Sequence, residues 1–157
     1  MHFFDNYFEE PMRSIRLLHY ANEKSSPDKG VYACGAHSDY GMITLLLTDD
    51  QPGLQINFQN EWIDVPPRPD AFIVNLGDML ERWSNGLFQS TMHRVLTSGE
   101  KERYSIPFFY EPNFDAEVKC LPTCCSPENP PKYPPITSGQ HLLNKYKETH
   151  ADFKPDT

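Results

Sequence analysis

The sequence predicts a mainly β fold, a sandwich or barrel with short flanking helices, and three observations carry that expectation. Apolar and β-branched runs recur at close spacing between turn residues, which gives about eight strands. Proline supplies 15 of the 157 residues, about twice the usual ~5%, and disfavours long regular helices. Helical spacing is confined to a stretch at each end and one short turn in the middle.

Taken in order, Phe3 to Met12 reads as the tail of a helix stopped at Pro11. Its Phe3, Phe4, Tyr7 and Phe8 fall at helical spacing and want a partner surface. Ser14–Tyr20 is the first strand, and Asn22–Gly30 a polar loop. Ala33–Asp39 leads into Met42–Thr48, whose apolar run suits a strand buried on both faces. Leu54–Phe58 and Trp62–Val65 form a hairpin around Gln59-Asn60-Glu61, and Pro66 to Asp70 is a stiff connection. Ala71–Leu76 is another strand, ended by Gly77-Asp78, and Met79–Trp83 makes one helical turn before Ser84-Asn85-Gly86. Met92–Thr97 and Tyr104–Tyr110 are expected to pair as a hairpin through residues 98–102. Beyond Pro112, the six prolines of Cys120–Pro135 suggest an extended wrap, and Ser138–His150 a closing helix with Leu142, Leu143 and Tyr146 on one face.

Charge and composition narrow the function classes. A net charge of −8 and the lack of a basic stripe argue against nucleic acid as a partner. No apolar run reaches the ~18 residues of a membrane span. The first residues lack the basic region and cleavage site of a signal peptide. Cys34, Cys120, Cys124 and Cys125 include no CxxC pair, so they read as reduced thiols and the expected location is cytoplasmic.

The chemistry centres on Gly35-Ala36-His37-Ser38-Asp39. Residues two apart on a strand share a face, so His37 and Asp39 project together and can occupy two neighbouring sites on one metal ion. His93, 54 positions beyond Asp39, opens another strand and can supply the third ligand. Two histidines and a carboxylate cap one face of an octahedron and leave three sites open, the arrangement of non-haem Fe(II) oxygenases. Alone, His-x-Asp is more often a solvated pair. Arg103-Tyr104-Ser105 adds to it. If Thr97 faces Arg103 across the hairpin, His93 and Arg103 share a face about 13 Å apart, a gap that suits a five-carbon diacid. Arg103 then offers a planar fork for a carboxylate, and Ser105 a hydroxyl from the same face. The plainer alternative has Arg103 capping the turn against Glu100 or Glu102.

These segments together resemble the isopenicillin-N-synthase-like branch of the 2-oxoglutarate- and Fe(II)-dependent dioxygenases. The resemblance runs through Arg16-Leu17-Leu18-His19-Tyr20, Gly35 to Gly41, Gly53-Leu54-Gln55, Phe72 to Asp78, Ser84-Asn85-Gly86, His93-Arg94-Val95 and Arg103 to Phe109. It implies a double-stranded β-helix, or jelly roll, over residues 14–112. Residues 1–13 would end a truncated N-terminal helical region, and 113–157 would hold the wrap and closing helix. It implies His37, Asp39 and His93 as iron ligands, Arg103 and Ser105 as the clamp on the distal carboxylate of 2-oxoglutarate, and Tyr20 beside that co-substrate. An asparagine common two positions before that tyrosine is Leu18 here. The implied reaction couples O2 and decarboxylation of 2-oxoglutarate to succinate with oxidation, chiefly hydroxylation, of a small organic molecule. Arg82, Trp83 and Asn85 are candidates for lining the site, although Trp83 equally suits the core and Asn85-Gly86 a turn.

The resemblance covers a C-terminal catalytic portion, so the expected chain is a fragment or a short gene model. Its aromatic stripe then awaits an N-terminal region or self-association. Two alternatives remain: a catalytically silent fragment that binds metal and 2-oxoglutarate, and a hydrolytic zinc site. Hydrolysis has no use for an Arg-x-Ser carboxylate clamp.

Overall fold

The computed structural model describes residues 2–149. In chain order the strands are β1 (Met12–Ile15), β2 (Leu18–Tyr20), β3 (Cys34–His37), β4 (Ile43–Thr48), β5 (Leu54–Phe58), β6 (Glu61–Asp64), β7 (Ile73–Leu76), β8 (His93–Val95), β9 (Arg103–Glu111), β10 (Glu117–Val118) and β11 (Ile136–Thr137). The helices are α1 (Asp78–Trp83) and α2 (Ser138–Thr149). A major antiparallel sheet runs β1-β9-β4-β7, with β2 also paired to β9, and a minor sheet runs β3-β8-β5-β6. Residues of both sheets line one cavity of about 590 Å³ between them. Mainly β architecture with two facing sheets is what the sequence predicts.

Strand alternation sets what faces that cavity. On β9, Arg103, Ser105 and Pro107 are buried while Tyr104 and Ile106 are exposed. Leu18 and Tyr20 of β2 face Ser105 and Arg103 across the ladder and share their side of the sheet.

Several local expectations are corrected. Phe3 to Met12 is not a helix tail; it holds one 3-10 turn, Asp5–Tyr7. Its rings find partners without a helix: Tyr7 meets Trp83 edge-on at 5.0 Å and Phe8 stacks on Tyr110 at 5.2 Å. The expected strand Ser14–Tyr20 is two strands placed end to end along β9. The break faces Pro107, whose carbonyl accepts from the Arg16 amide but which has no N–H to return. The β5–β6 loop contains two residues rather than three, Gln59 and Asn60, both with positive φ. Met42–Thr48 is not buried on both faces, because Leu47 joins Ile15, Leu17, Val74 and Ile106 among the exposed apolar residues of the major sheet. The proposed hairpin between Met92–Thr97 and Tyr104–Tyr110 does not form. β8 pairs with β3 and β5, β9 pairs with β1, β2 and β4, and residues 98–102 cross from one sheet to the other.

Leu54 and Val95 of the minor sheet are buried beside the cavity, and a separate apolar cluster lies outside it. Met79, Trp83 and Val118 are fully buried, with Tyr7, Met42, Leu121, Ile136 and Leu142 packed around them. Arg82 and Asn85 neighbour Trp83 in the chain and do not line the cavity between the sheets. Arg82 reaches the Pro134 carbonyl, and Asn85 ties down the wrap through Cys124, Pro130 and Lys132. The wrap contains one 3-10 turn, Pro122–Cys124, and all four cysteines are free thiols. α2 matches the expected closing helix through Thr149; His150 lies outside the described residues. It is pinned by Lys145 to Asp78 at 2.8 Å and by His141, whose Nε2 donates to the Tyr40 carbonyl.

α1 docks end-on against the loop that follows β3. The amides of Asp78 and Met79 donate to the carbonyls of Asp39 and Gly41, so donors that a helix start leaves free are satisfied by that loop. The approach requires a glycine: a Cβ on Gly77 would sit 2.3 Å from the Gly41 carbonyl oxygen. Gly77→Ala should therefore cost about 1–3 kcal/mol through forced separation of these backbones. It should also move Asp39, so urea melts and metal titration are expected to weaken together.

Candidate metal centre

His37 and His93 meet because they are direct cross-strand partners on β3 and β8, with ring centroids 4.3 Å apart. This pairing replaces the hairpin argument as the reason His93 belongs to the site. Each imidazole is oriented in the same way. His37 Nδ1 bonds the Gly35 carbonyl at 2.8 Å, and His93 Nδ1 bonds the Thr91 carbonyl at 3.0 Å. A carbonyl can only accept, so Nδ1 carries a hydrogen in both rings, and in the neutral form of each ring Nε2 is the atom with a lone pair for a metal.

Asp39 arrives differently from the expected route. β3 ends at His37, and Asp39 lies two residues beyond it. Its Oδ2 accepts from Thr44 Oγ1 and from Asn75 Nδ2, both at 2.6 Å, and its Oδ1 stands 3.8 Å from His93 Nε2. Thr44 and Asn75 are themselves cross-strand partners on β4 and β7 of the major sheet. One carboxylate oxygen is thus saturated and the other is aimed at the histidines. Ligand-capable atoms of His37, Asp39 and His93 all lie within 4.8 Å of one another. Neutral imidazole nitrogens and one carboxylate oxygen form a donor set that suits a divalent first-row metal.

The electrostatics separate the two histidines. His37 is raised from 6.5 to about 9, chiefly by the Cys34 thiol beside Nδ1, with further support from the Gly35 carbonyl and the Asp39 charge against the opposing effect of burial. His93 is lowered, because burial outweighs the Thr91 carbonyl and Asp39.

At the other end of the cavity, Arg103 is only 2% exposed, and its Nε and Nη1 are buried without a hydrogen-bond acceptor. Its guanidinium lies over the Tyr20 ring, 5.1 Å from the centroid. Ser105, one inward position further along β9, lines the same cavity. The expected alternative, a turn-capping arginine paired with Glu100 or Glu102, is not what the structure contains. Glu102 instead meets Tyr104 and His19.

A second cavity of about 350 Å³ opens on the opposite side of the triad and shares Arg16, His37, Asp39 and Phe109 with the first. Sequence reasoning missed three residues around the triad. Asn75 and Thr44 are polar positions inside apolar strands, a signal the sequence did carry. Glu111, 7% exposed, accepts from the Met42 amide beside the second cavity. Burial is the main reason its carboxyl is pushed from 4.5 up to about 7. The folded value lies above the unfolded one, so stability falls as pH rises from about 4.5 to 7, and the full penalty applies above that. Glu111→Gln keeps an acceptor for Met42 and should stabilise the metal-free protein by about 3 kcal/mol at pH 8, with no gain at pH 4. Melting temperatures at the two pH values check this.

Comparison with known proteins agrees with the geometry. The family model for the 2OG-Fe(II) oxygenase superfamily matches residues 12–112. The 2-oxoglutarate-Fe(II) type oxidoreductase hxnY of Emericella nidulans is 42% identical over 152 residues, covering 95% of this chain and 44% of that protein. Homoarginine-6-hydroxylase 2-ODD-C23 of Glycine max is 41% identical over 150 residues, 91% of this chain and 45% of the relative. A full-length Neurospora crassa protein, crystallised in complex with alpha-KG and thymine, superimposes with a TM-score of 0.85 at 37% identity, over 94% of this chain and 47% of that one. The chain therefore spans less than half the length of these relatives. Sequence motifs, facing sheets and triad agree with these matches, and the chain belongs to the 2OG-Fe(II) oxygenase superfamily.

Proposed function

We propose that this chain is the catalytic portion of an Fe(II)- and 2-oxoglutarate-dependent oxygenase that oxidises a small organic molecule. The observation that carries the reading is Arg103. A buried guanidinium with two unsatisfied donors is costly unless an anion meets it, and it faces the same cavity as a His-Asp-His triad. A short diacid fits those two ends, and several relatives were solved with 2-oxoglutarate bound. On this reading His37, Asp39 and His93 hold the metal, while Arg103 and Ser105 hold the far carboxylate. Tyr20 supports the guanidinium with its ring. The triad would hold ferrous iron, which when bound would supply O2 activation coupled to decarboxylation of 2-oxoglutarate to succinate and CO2.

Thr44 and Asn75 fix the carboxylate, and the Gly35 and Thr91 carbonyls fix both imidazoles. The primary substrate enters from the second cavity, opposite Arg103. In related structures that class of ligand includes thymine for the Neurospora crassa protein and JA for JOX2. Anaerobic loading with Fe(II), followed by 2-oxoglutarate and air, should yield succinate in proportion to 2-oxoglutarate consumed. Binding of both without succinate would instead favour the catalytically silent reading. The open apolar face of the major sheet and the exposed Phe3 and Phe4 favour self-association or cover by a preceding region. Light scattering and binding of a hydrophobic dye should both rise with concentration, and a clean monomer without dye binding would count against this.

A further inference from the structure

The second cavity has a chemical polarity that the triad does not account for. Arg13 and Arg16 line it, and neither side chain has an ion pair or hydrogen bond among the described residues. Arg16, an exposed residue, stands over the Phe109 ring, 5.7 Å from its centroid, and with Phe109 lines both of the cavities that share His37 and Asp39. The acids along this wall are committed elsewhere. Asp39 Oδ2 is taken by Thr44 and Asn75, and buried Glu111 by the Met42 amide. The apolar part of the wall comes from Met12, Phe109, Phe114 and, on α2, Leu142 and Leu143, with the hydroxyls of Ser14, Ser38, Tyr40 and Tyr146 also in its lining. In a chain of net charge −8, two unpaired cations on the wall of a mainly apolar cavity attract an anion with a hydrophobic body. A volume of about 350 Å³ limits that body to a small molecule.

We propose that the primary substrate is a small organic carboxylic acid with an apolar body, and that Arg16 is the specificity-determining residue that holds its carboxylate. Phe109 supports the guanidinium from behind, and the body lies along α2. The inference rests on the reading of the triad and Arg103 as the metal and 2-oxoglutarate site, because it assigns the remaining cavity to substrate. A guanidinium donates a planar pair of charge-assisted hydrogen bonds to a carboxylate, which an amide of the same shape cannot accept as strongly.

The test is calorimetric titration of the full chain, loaded anaerobically with Fe(II) and saturated with 2-oxoglutarate. The probes are 3-phenylpropanoate and octanoate, each beside its own primary amide. At least one acid should bind about tenfold or more tightly than its amide. Arg16→Gln should erase that preference, Arg16→Lys should keep part of it, and both variants should bind 2-oxoglutarate as the parent does. Equal binding of acid and amide, no binding of either acid, or a preference that survives Arg16→Gln overturns the proposal. So does a preference lost in Arg103→Ala but kept in Arg16→Gln, since the acid would then sit at the co-substrate end. If the parent fails to bind 2-oxoglutarate but still prefers the acid through Arg16, the oxygenase reading fails and the Arg16 assignment stands.

Discussion

Arg103→Ala is expected to bind ferrous iron like the parent and to lose affinity for 2-oxoglutarate by tens- to several-hundred-fold. Removing a charge-assisted, bidentate partner from a buried site costs on the order of 2–4 kcal/mol, and Arg103 touches none of the triad atoms. Arg103→Lys should recover part of the loss, because an ammonium cannot reproduce the fork. An opposite effect is expected without co-substrate. Nε and Nη1 lie buried and unsatisfied, so Arg103→Met should raise the melting temperature of the ligand-free protein while abolishing its rise on adding 2-oxoglutarate. Equal 2-oxoglutarate affinity in Arg103→Ala and parent would remove the clamp assignment.

The other large effect is expected at the triad. His37→Ala, Asp39→Ala and His93→Ala each delete a candidate ligand, and metal affinity and succinate formation should fall together to near background. Thr44→Val and Asn75→Leu separate orientation from ligation. Each leaves all three ligands but frees Asp39 Oδ2 from one donor, so metal affinity should fall about 10–100-fold. Titration with Fe(II) under nitrogen, read beside a thermal melt, distinguishes this from simple unfolding. Unchanged metal binding in Asp39→Ala would sink the assignment of the centre.

Much of this site was legible in the sequence because its key patterns are local. Alternation on β9 places Arg103 and Ser105 on one face whichever strand they pair with, so Arg-x-Ser was readable from residues alone. Its partner was not. A seven-residue connection after β8 suits a hairpin as well as a crossing between sheets, and only long-range pairing with β3 and β4 decides between them. The inferred shared face of His93 and Arg103 was right about the cavity and wrong about the pairing that creates it. His37 and Asp39 follow the same pattern. They converge as expected, but Asp39 is held by Thr44, five residues on at the start of β4, and by Asn75 and the start of α1, which lie far along the chain. At the amino end, aromatic spacing suggested a helix, yet rings packing on Trp83 and Tyr110 satisfy the same residues in an irregular loop.

The histidines stand on the minor sheet, whereas the residues that grip Asp39, and Arg103 itself, stand on the major sheet. Between the two lies a cavity, and the hydrophobic cluster sits to one side of it. An ion and a diacid spanning that gap would act as a clasp across the two layers. Loading at a hundredfold excess over the dissociation constant adds about 2.7 kcal/mol to the closed form. Opening of the layers, read by amide exchange on β5 and β9, would then track the supply of iron and 2-oxoglutarate. On the proposed function, iron starvation is expected to let the layers open more often, so that proteases reach strands that the loaded protein would keep shut.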